Sequence, residues 1–352
     1  MRTILNLSAI IAASLVLILS SCKKDDHDEL RGAYSQGVLI SNEGPFMEGS
    51  GSISFYDPAT RTIANHIFQT VNNRPLGNIV QSVEVFNGRA YVVVNNAGKV
   101  EVAEAGTFES IGAIAGLNSP RYFLGINSNK GYVSDWGGHV AIIDLNTLAK
   151  TGTIVTGASP DRMLLDGTRV WVINSAGWYS DSTVTIIDTQ TDTALQTIVV
   201  GDNPSGIVKD ATGRIWVICG GKSDWTNPEN NTTGSLVRIN PETFNIESHS
   251  DLGETYFDAR LAINAAGDKL YYTFTGGLFS VDLNTKTEML SNSVLSRSVY
   301  ALGIDPQTGE IYVSDPLDYA QSGYIFRHNP ENFAVVDSVK AGIIPGNFSF
   351  VY

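Results

Sequence analysis

Few side chains in this 352-residue sequence could do chemistry, and their spacing is informative. The histidines, His27, His66, His139, His249 and His328, nowhere show the His-x-His or His-x-x-x-His spacing that sets two imidazoles on one zinc or iron. Asp135, Asp161, Asp258 and Asp315 lie far apart in the chain. Gathered on a common axis they could hold calcium for a hydrolase or lyase, but such acids more often bond loop amides. Cys219 ends the apolar run Ile215-Trp216-Val217-Ile218-Cys219, which makes it a buried strand residue with no redox or metal role. No glycine-rich phosphate loop follows a strand. What remains is a set of amides, arginines and aromatics: Asn42, Glu43, Phe46, Asn95, Asn96, Arg121, Tyr122, Trp136, Arg162, Trp178, Tyr179, Trp225, Phe257, Tyr300 and Tyr319. Brought together, they suit a large, partly apolar, hydrogen-bonding ligand. The expectation is a binding protein with no catalytic residue and no resident cofactor. Taken singly, each aromatic could instead staple a loop onto the strands beneath it.

Those residues are spread over most of the chain, so the fold must gather them. Internal repetition shows how. A strand ending in an acidic residue or Asn and closed by Thr three residues later appears at Asp57-Pro58-Ala59-Thr60, Glu104 to Thr107, Asp144 to Thr147, Asp188 to Thr191, Asn240-Pro241-Glu242-Thr243 and Asp282 to Thr285, with a degraded copy at Asn329-Pro330-Glu331-Asn332. In such a turn the first side chain accepts hydrogen bonds from amides two residues on, so each copy predicts a hairpin. Between the copies run strands of the type Ala90-Tyr91-Val92-Val93, Val170-Trp171-Val172 and Ile311-Tyr312-Val313, rich in β-branched and aromatic residues. Loops such as Asn118-Ser119-Pro120 and Asn203-Pro204-Ser205 lead into a further short strand. Four short strands per repeat, and no amphipathic helical run of ten to twelve residues, predict an all-β fold: a seven-bladed β-propeller over residues 34–352.

The ends predict how the ring closes. Val38-Leu39-Ile40 resembles a second strand that lacks its first, while Gly346-Asn347-Phe348-Ser349-Phe350-Val351-Tyr352 resembles a first strand with nothing after it. Pairing the two would remove two open edges. In a propeller, the loop leading into each first strand and the loop leaving each second strand share one face, where the candidate residues should converge. Trp136, Trp178 and Trp225 fall in such loops, whereas Trp171 and Trp216 lie inside strands and should be core.

The first residues read as a targeting segment. An apolar run from Ile4 to Leu19 is too short to persist as a membrane span and gives a signal peptide over 1–21. Leu19-Ser20-Ser21-Cys22 matches a lipobox, which makes Cys22 the lipidated residue. Lys23-Lys24-Asp25-Asp26-His27-Asp28-Glu29 follows as a solvated tether over 22–33. It resembles the surface-export signal of Bacteroidota lipoproteins, which implies an outer-membrane protein facing the cell exterior. A net charge of −13 without a Lys/Arg cluster argues against nucleic acid or an anionic membrane surface as partner.

Three stretches carry a family resemblance: Ile40-Ser41-Asn42-Glu43-Gly44-Pro45-Phe46; Leu117-Asn118-Ser119-Pro120-Arg121-Tyr122; and Tyr312-Val313-Ser314-Asp315 through Asp318-Tyr319 to Gly342-Ile343-Ile344-Pro345-Gly346. With them the chain resembles the YncE-like, DUF5074-type surface lipoproteins of Bacteroidota, which include the cobalamin-capturing BtuG group. The resemblance implies capture of cobalamin or another corrinoid for a TonB-dependent outer-membrane transporter. A corrin ring with amide arms wants flat aromatic contacts and neutral donors and acceptors, which Asn42, Asn95, Asn96, Trp136, Trp178, Tyr179 and Tyr319 could supply. Two other readings stay open: a surface propeller that binds protein or glycan, and a metal-dependent propeller hydrolase or lyase.

Overall fold

A computed structural model of the chain describes residues 32–46, 49–175, 181–257, 259–285 and 293–352. The signal segment, Cys22 and the tether up to residue 31, together with Trp178, Tyr179 and Asp258, lie outside the described residues. The remainder forms seven antiparallel sheets, four-stranded except for one with three described strands. The innermost strands are Pro345–Val351, Val80–Phe86, Pro120–Asn127, Pro160–Asp166, Pro204–Lys209, Leu261–Ile263 and Leu302–Ile304. Each touches the innermost strand of the next sheet, and the last touches the first, so the sheets are the blades of a closed seven-bladed β-propeller.

The repeated second-strand pattern has a direct packing reason. Successive side chains in a strand point to opposite faces. Tyr91, Tyr132, Trp171, Trp216, Tyr271 and Tyr312 therefore pack against the blade that follows, while Val92, Val133, Val172, Val217, Tyr272 and Val313 pack against the one before. The described residues form seven hydrophobic clusters, one at each junction between neighbouring blades. Trp171 and Trp216 are core residues, as expected. Cys219 is also buried and free, and burial pushes its thiol up to about 12, which makes it a poor nucleophile.

The Asx turns form at the Asp and Asn copies of the repeat, while the Glu104 copy closes its turn through a backbone bond from the Phe108 amide to the Glu104 carbonyl. Asp57 accepts from the amides of Ala59 and Thr60, Asp144 from those of Asn146 and Thr147, and Asn240 from those of Glu242 and Thr243. In several copies the next residue is left-handed although it carries a side chain: Phe108, Leu148, Phe244 and Phe333 all have φ between +53° and +62°. Its ring or aliphatic end packs into the core, as where Phe244 sits 5.8 Å from Trp171, and this offsets the strain.

Closure also occurs as the ends predict. Gly37–Asn42 pairs on one side with Pro345–Val351 and on the other with Ser52–Asp57. Asn42, expected to contact ligand, is instead fully buried in this seam. Its Nδ2 donates to Ser52 and Ser54 of its own blade, and its Oδ1 accepts from the Gly342 amide of the seventh blade. One element departs from the repeat: a short helix, Ile67–Asn72, follows a three-residue outer strand in the first blade and buries Ile67 and Phe68 against the second.

Candidate ligand-binding site

Five innermost strands begin with the same irregularity, a β-bulge between Val80 and Ser82, Pro120 and Phe123, Pro160 and Met163, Pro204 and Gly206, and Pro345 and Asn347. In four of them the first residue is proline, which has no amide to give the ladder and suits the start of a strand. A bulge leaves its extra residues out of the ladder and re-aims their side chains. The residues released in this way are Gln81, Arg121 and Tyr122, Asp161 and Arg162, Ser205, and Gly346, and every one of them lines a single cavity at the mouth of the axis. The loops leaving the second strands add Glu43, Phe46, Asn95, Asn96, Trp136 and Lys222, and the sixth and seventh blades add Phe257, Arg260 and Tyr300. All seven blades thus contribute to one space of about 660 Å³, within the ~300–1,000 Å³ usual for small-molecule sites.

The cavity wall is organised by paired arginines and rings. Arg121 lies flat over Trp136, 3.9 Å from the ring centre, and donates from Nε to Asp161 at 3.1 Å. Trp136 Nε1 donates to the same Asp161 oxygen at 3.3 Å, so one carboxylate locks both planes in place. Gln81 accepts from the other side of the Arg121 guanidinium. Arg162 repeats the arrangement one blade on, 4.6 Å over Tyr122, and Arg260 sits 5.7 Å over Tyr300. The Tyr300 hydroxyl donates to Glu43 at 2.8 Å, which ties the seventh blade to the first across the closure. Asn95 donates to Ser119 and to the Pro120 carbonyl, and Asn96 to Asn78, so both amides brace the loops as well as face the cavity.

Of the residues singled out from sequence, Glu43, Phe46, Asn95, Asn96, Arg121, Tyr122, Trp136, Arg162, Phe257 and Tyr300 meet at this cavity. Asn42 does not, being enclosed in the closure seam. Trp225 does not line it either: it stands 92% exposed on the loop that also carries Lys222. Tyr319 lies on the rim, half exposed, edge-on to Tyr300 at 5.7 Å. The candidate set also lacked Gln81, Asp161, Asp202, Ser205 and Arg260, which do line the cavity. For Asp161 and Ser205 a proline followed by residues outside the apolar alternation was the available signal; Gln81, Asp202 and Arg260 carry no such mark. Of the acids that could have gathered on calcium, Asp161 lines the cavity paired with Arg121, whereas fully buried Asp135 accepts from the amides of Asn118, Ser119 and Gly137, and Asp315 from that of Leu317. Among the described residues no three of His, Cys, Asp or Glu come together as a metal site.

The family model for DUF5074, a domain of unknown function, matches residues 36–340. The chain belongs to the DUF5074 family. Its resemblance to solved structures runs through the fold. This DUF5074 protein superposes on a quinoprotein alcohol dehydrogenase-like protein from Bacteroides thetaiotaomicron with a TM-score of 0.69 at 16% identity, covering 90% of this chain and 78% of that one. Hydrazine synthase of Kuenenia stuttgartiensis gives 0.59 at 13% identity, over 75% of this chain and 87% of that one. The computationally designed protein Ika8 gives 0.59 at 10% identity, over 91% and 92% respectively. At such identities the likeness shows the propeller fold alone. No curated protein matches this DUF5074 chain.

Proposed function

We propose that this DUF5074 propeller is a lipid-anchored, surface-facing binding protein that captures cobalamin or another corrinoid in the axial cavity and passes it to a TonB-dependent outer-membrane transporter. The observation that carries the reading is the convergence of all seven blades on one cavity whose wall alternates ring faces with polar groups. Trp136 and Tyr122 are each already stacked on a guanidinium, so their planes are fixed before a ligand arrives and little conformational entropy is lost on binding. Asn95, Asn96 and Gln81 present amide groups of the kind that match amide arms. The anchoring part of the reading rests on Cys22 and the charged residues behind it.

Titration of the purified protein with cyanocobalamin, followed by calorimetry and by co-migration of the red colour, tests the ligand. Saturable binding at micromolar concentration or tighter is expected; none at that concentration removes corrinoids. One observation favours a second reading, a protein or glycan partner: Phe46, Trp225, Phe257 and Tyr319 stand out from this face, each at least half exposed. Large exposed apolar side chains on one rim are typical of a docking surface. Retention on immobilised glycans without any response to corrinoids would favour it.

A further inference from the structure

The cavity's charges are unevenly satisfied, and the imbalance lies on one side. Its three acids all have partners: Asp161 takes Arg121 and the Trp136 indole, Glu43 takes the Tyr300 hydroxyl, and Asp202 takes the Thr232 hydroxyl at 2.8 Å. Arg162 differs. It faces the cavity and stacks on Tyr122, yet it makes no ion pair or hydrogen bond with any described residue. On the neighbouring innermost strand, which touches that of Arg162, the hydroxyl of Ser205 is buried, with the residue 9% exposed, and has no partner among the described residues. A buried hydroxyl left unbonded is costly and calls for an explanation. Lys222, on the same blade as Ser205, brings a second cation to this side of the cavity.

We propose that the fourth- and fifth-blade side of the cavity is an oxyanion subsite, built for a phosphate ester or carboxylate carried by the ligand. It rests on the reading of the cavity as a ligand site and adds the chemistry of one ligand group. Arg162 offers a planar fork suited to two parallel hydrogen bonds, and its stacking on Tyr122 holds that fork open toward the cavity. Ser205 donates its free hydroxyl to the same group, and Lys222 adds charge without fixed geometry. In a protein of net charge −13, such a site must be local and partly shielded to attract an anion at all.

Two arms test this. In the first, the protein is titrated calorimetrically with inorganic phosphate and with acetate, against sodium chloride at matched ionic strength. Saturable binding of one of them is expected, and which one binds separates phosphate esters from carboxylates. Arg162→Gln should weaken it about tenfold or more, as loss of a charge-assisted bond implies, and Ser205→Ala by a smaller factor, with thermal unfolding of both variants close to wild type. If neither anion binds beyond chloride, or if Arg162→Gln binds as wild type does, the subsite is overturned. In the second arm, cyanocobalamin, which carries a phosphodiester, is compared with dicyanocobinamide, which lacks it. A preference for cyanocobalamin that Arg162→Gln abolishes supports the subsite, whereas equal binding of both overturns it and leaves corrinoid capture standing. Phosphate binding with no response to either corrinoid has the opposite meaning: the subsite holds and corrinoid capture fails.

Discussion

Glu84 stands alone in its setting. It lies on the innermost strand of the second blade, exposed, while its neighbour Val83 is buried in the junction with the first. The residues that occupy the same register in the other blades are Leu124, Leu164, Val208, Ala262, Gly303 and Ser349, none of them charged. Strand alternation turns its carboxyl toward the third blade, where it reaches the surface but is closely surrounded by protein, and the resulting desolvation pushes it up to about 7 from an ordinary value of 4.5. Between those values the unfolded chain has lost a proton that the folded chain still holds. Stability from this group is therefore lost as pH rises from about 4.5 to about 7, and levels off above. Glu84→Gln removes the effect, so its melting temperature should exceed that of wild type at about pH 8 and approach it near pH 4; parallel curves across that range would refute the assignment. At this scale the sequence was legible where a residue's role follows from its type, as with Trp171 and Trp216. It was not legible for Asn42, because an asparagine at the end of a strand reads the same whether its amide faces a ligand or the amide of another blade.

The elements were the most readable level, since each is set by local rules. The Asp or Asn that opens each outer hairpin bonds amides within its own turn, and no distant contact is needed to foresee it. The bulges were less visible. Their signature, a proline and then residues that break the alternation, becomes meaningful only once the strand is known to face an axis. The short helix Ile67–Asn72 escaped because its six residues fall below the length at which periodicity can be recognised. Asn42 shows what an element junction contributes. Replacing it by alanine leaves the Gly342 amide and the Ser52 and Ser54 hydroxyls short of a partner in a fully buried seam. Asn42→Ala should cost about 2–3 kcal/mol in urea unfolding, with ligand binding retained by the fraction that folds. A loss below ~0.5 kcal/mol would mean that the seam is held by its strand pairing alone.

At the scale of the whole molecule, the ring is completed by one antiparallel pairing between the two ends of the chain. Pro345–Val351 also touches the innermost strands of the second and seventh blades, so its removal opens an axis-facing edge and two hydrophobic junctions together. Deletion of residues 347–352 should abolish cooperative thermal unfolding and expose dye-binding apolar surface; a truncated chain that still melts sharply would show that the ring can stand without the innermost strand of its first blade. The architecture was legible because the period repeats seven times. The shared cavity was legible only as a place, since its depth and charge balance arise from side chains that neighbouring blades bring together. The bulges carry a further consequence. A residue outside the hydrogen-bond ladder is under no obligation to keep strand register, so Gln81, the Arg121–Tyr122 pair, the Asp161–Arg162 pair and Ser205 can each be exchanged without disturbing the sheet that presents them. Propellers of this build can thus respell what they recognise while the frame stays the same, with bonded residues such as Gln81, Arg121 and Asp161 changing as one word and others as single letters.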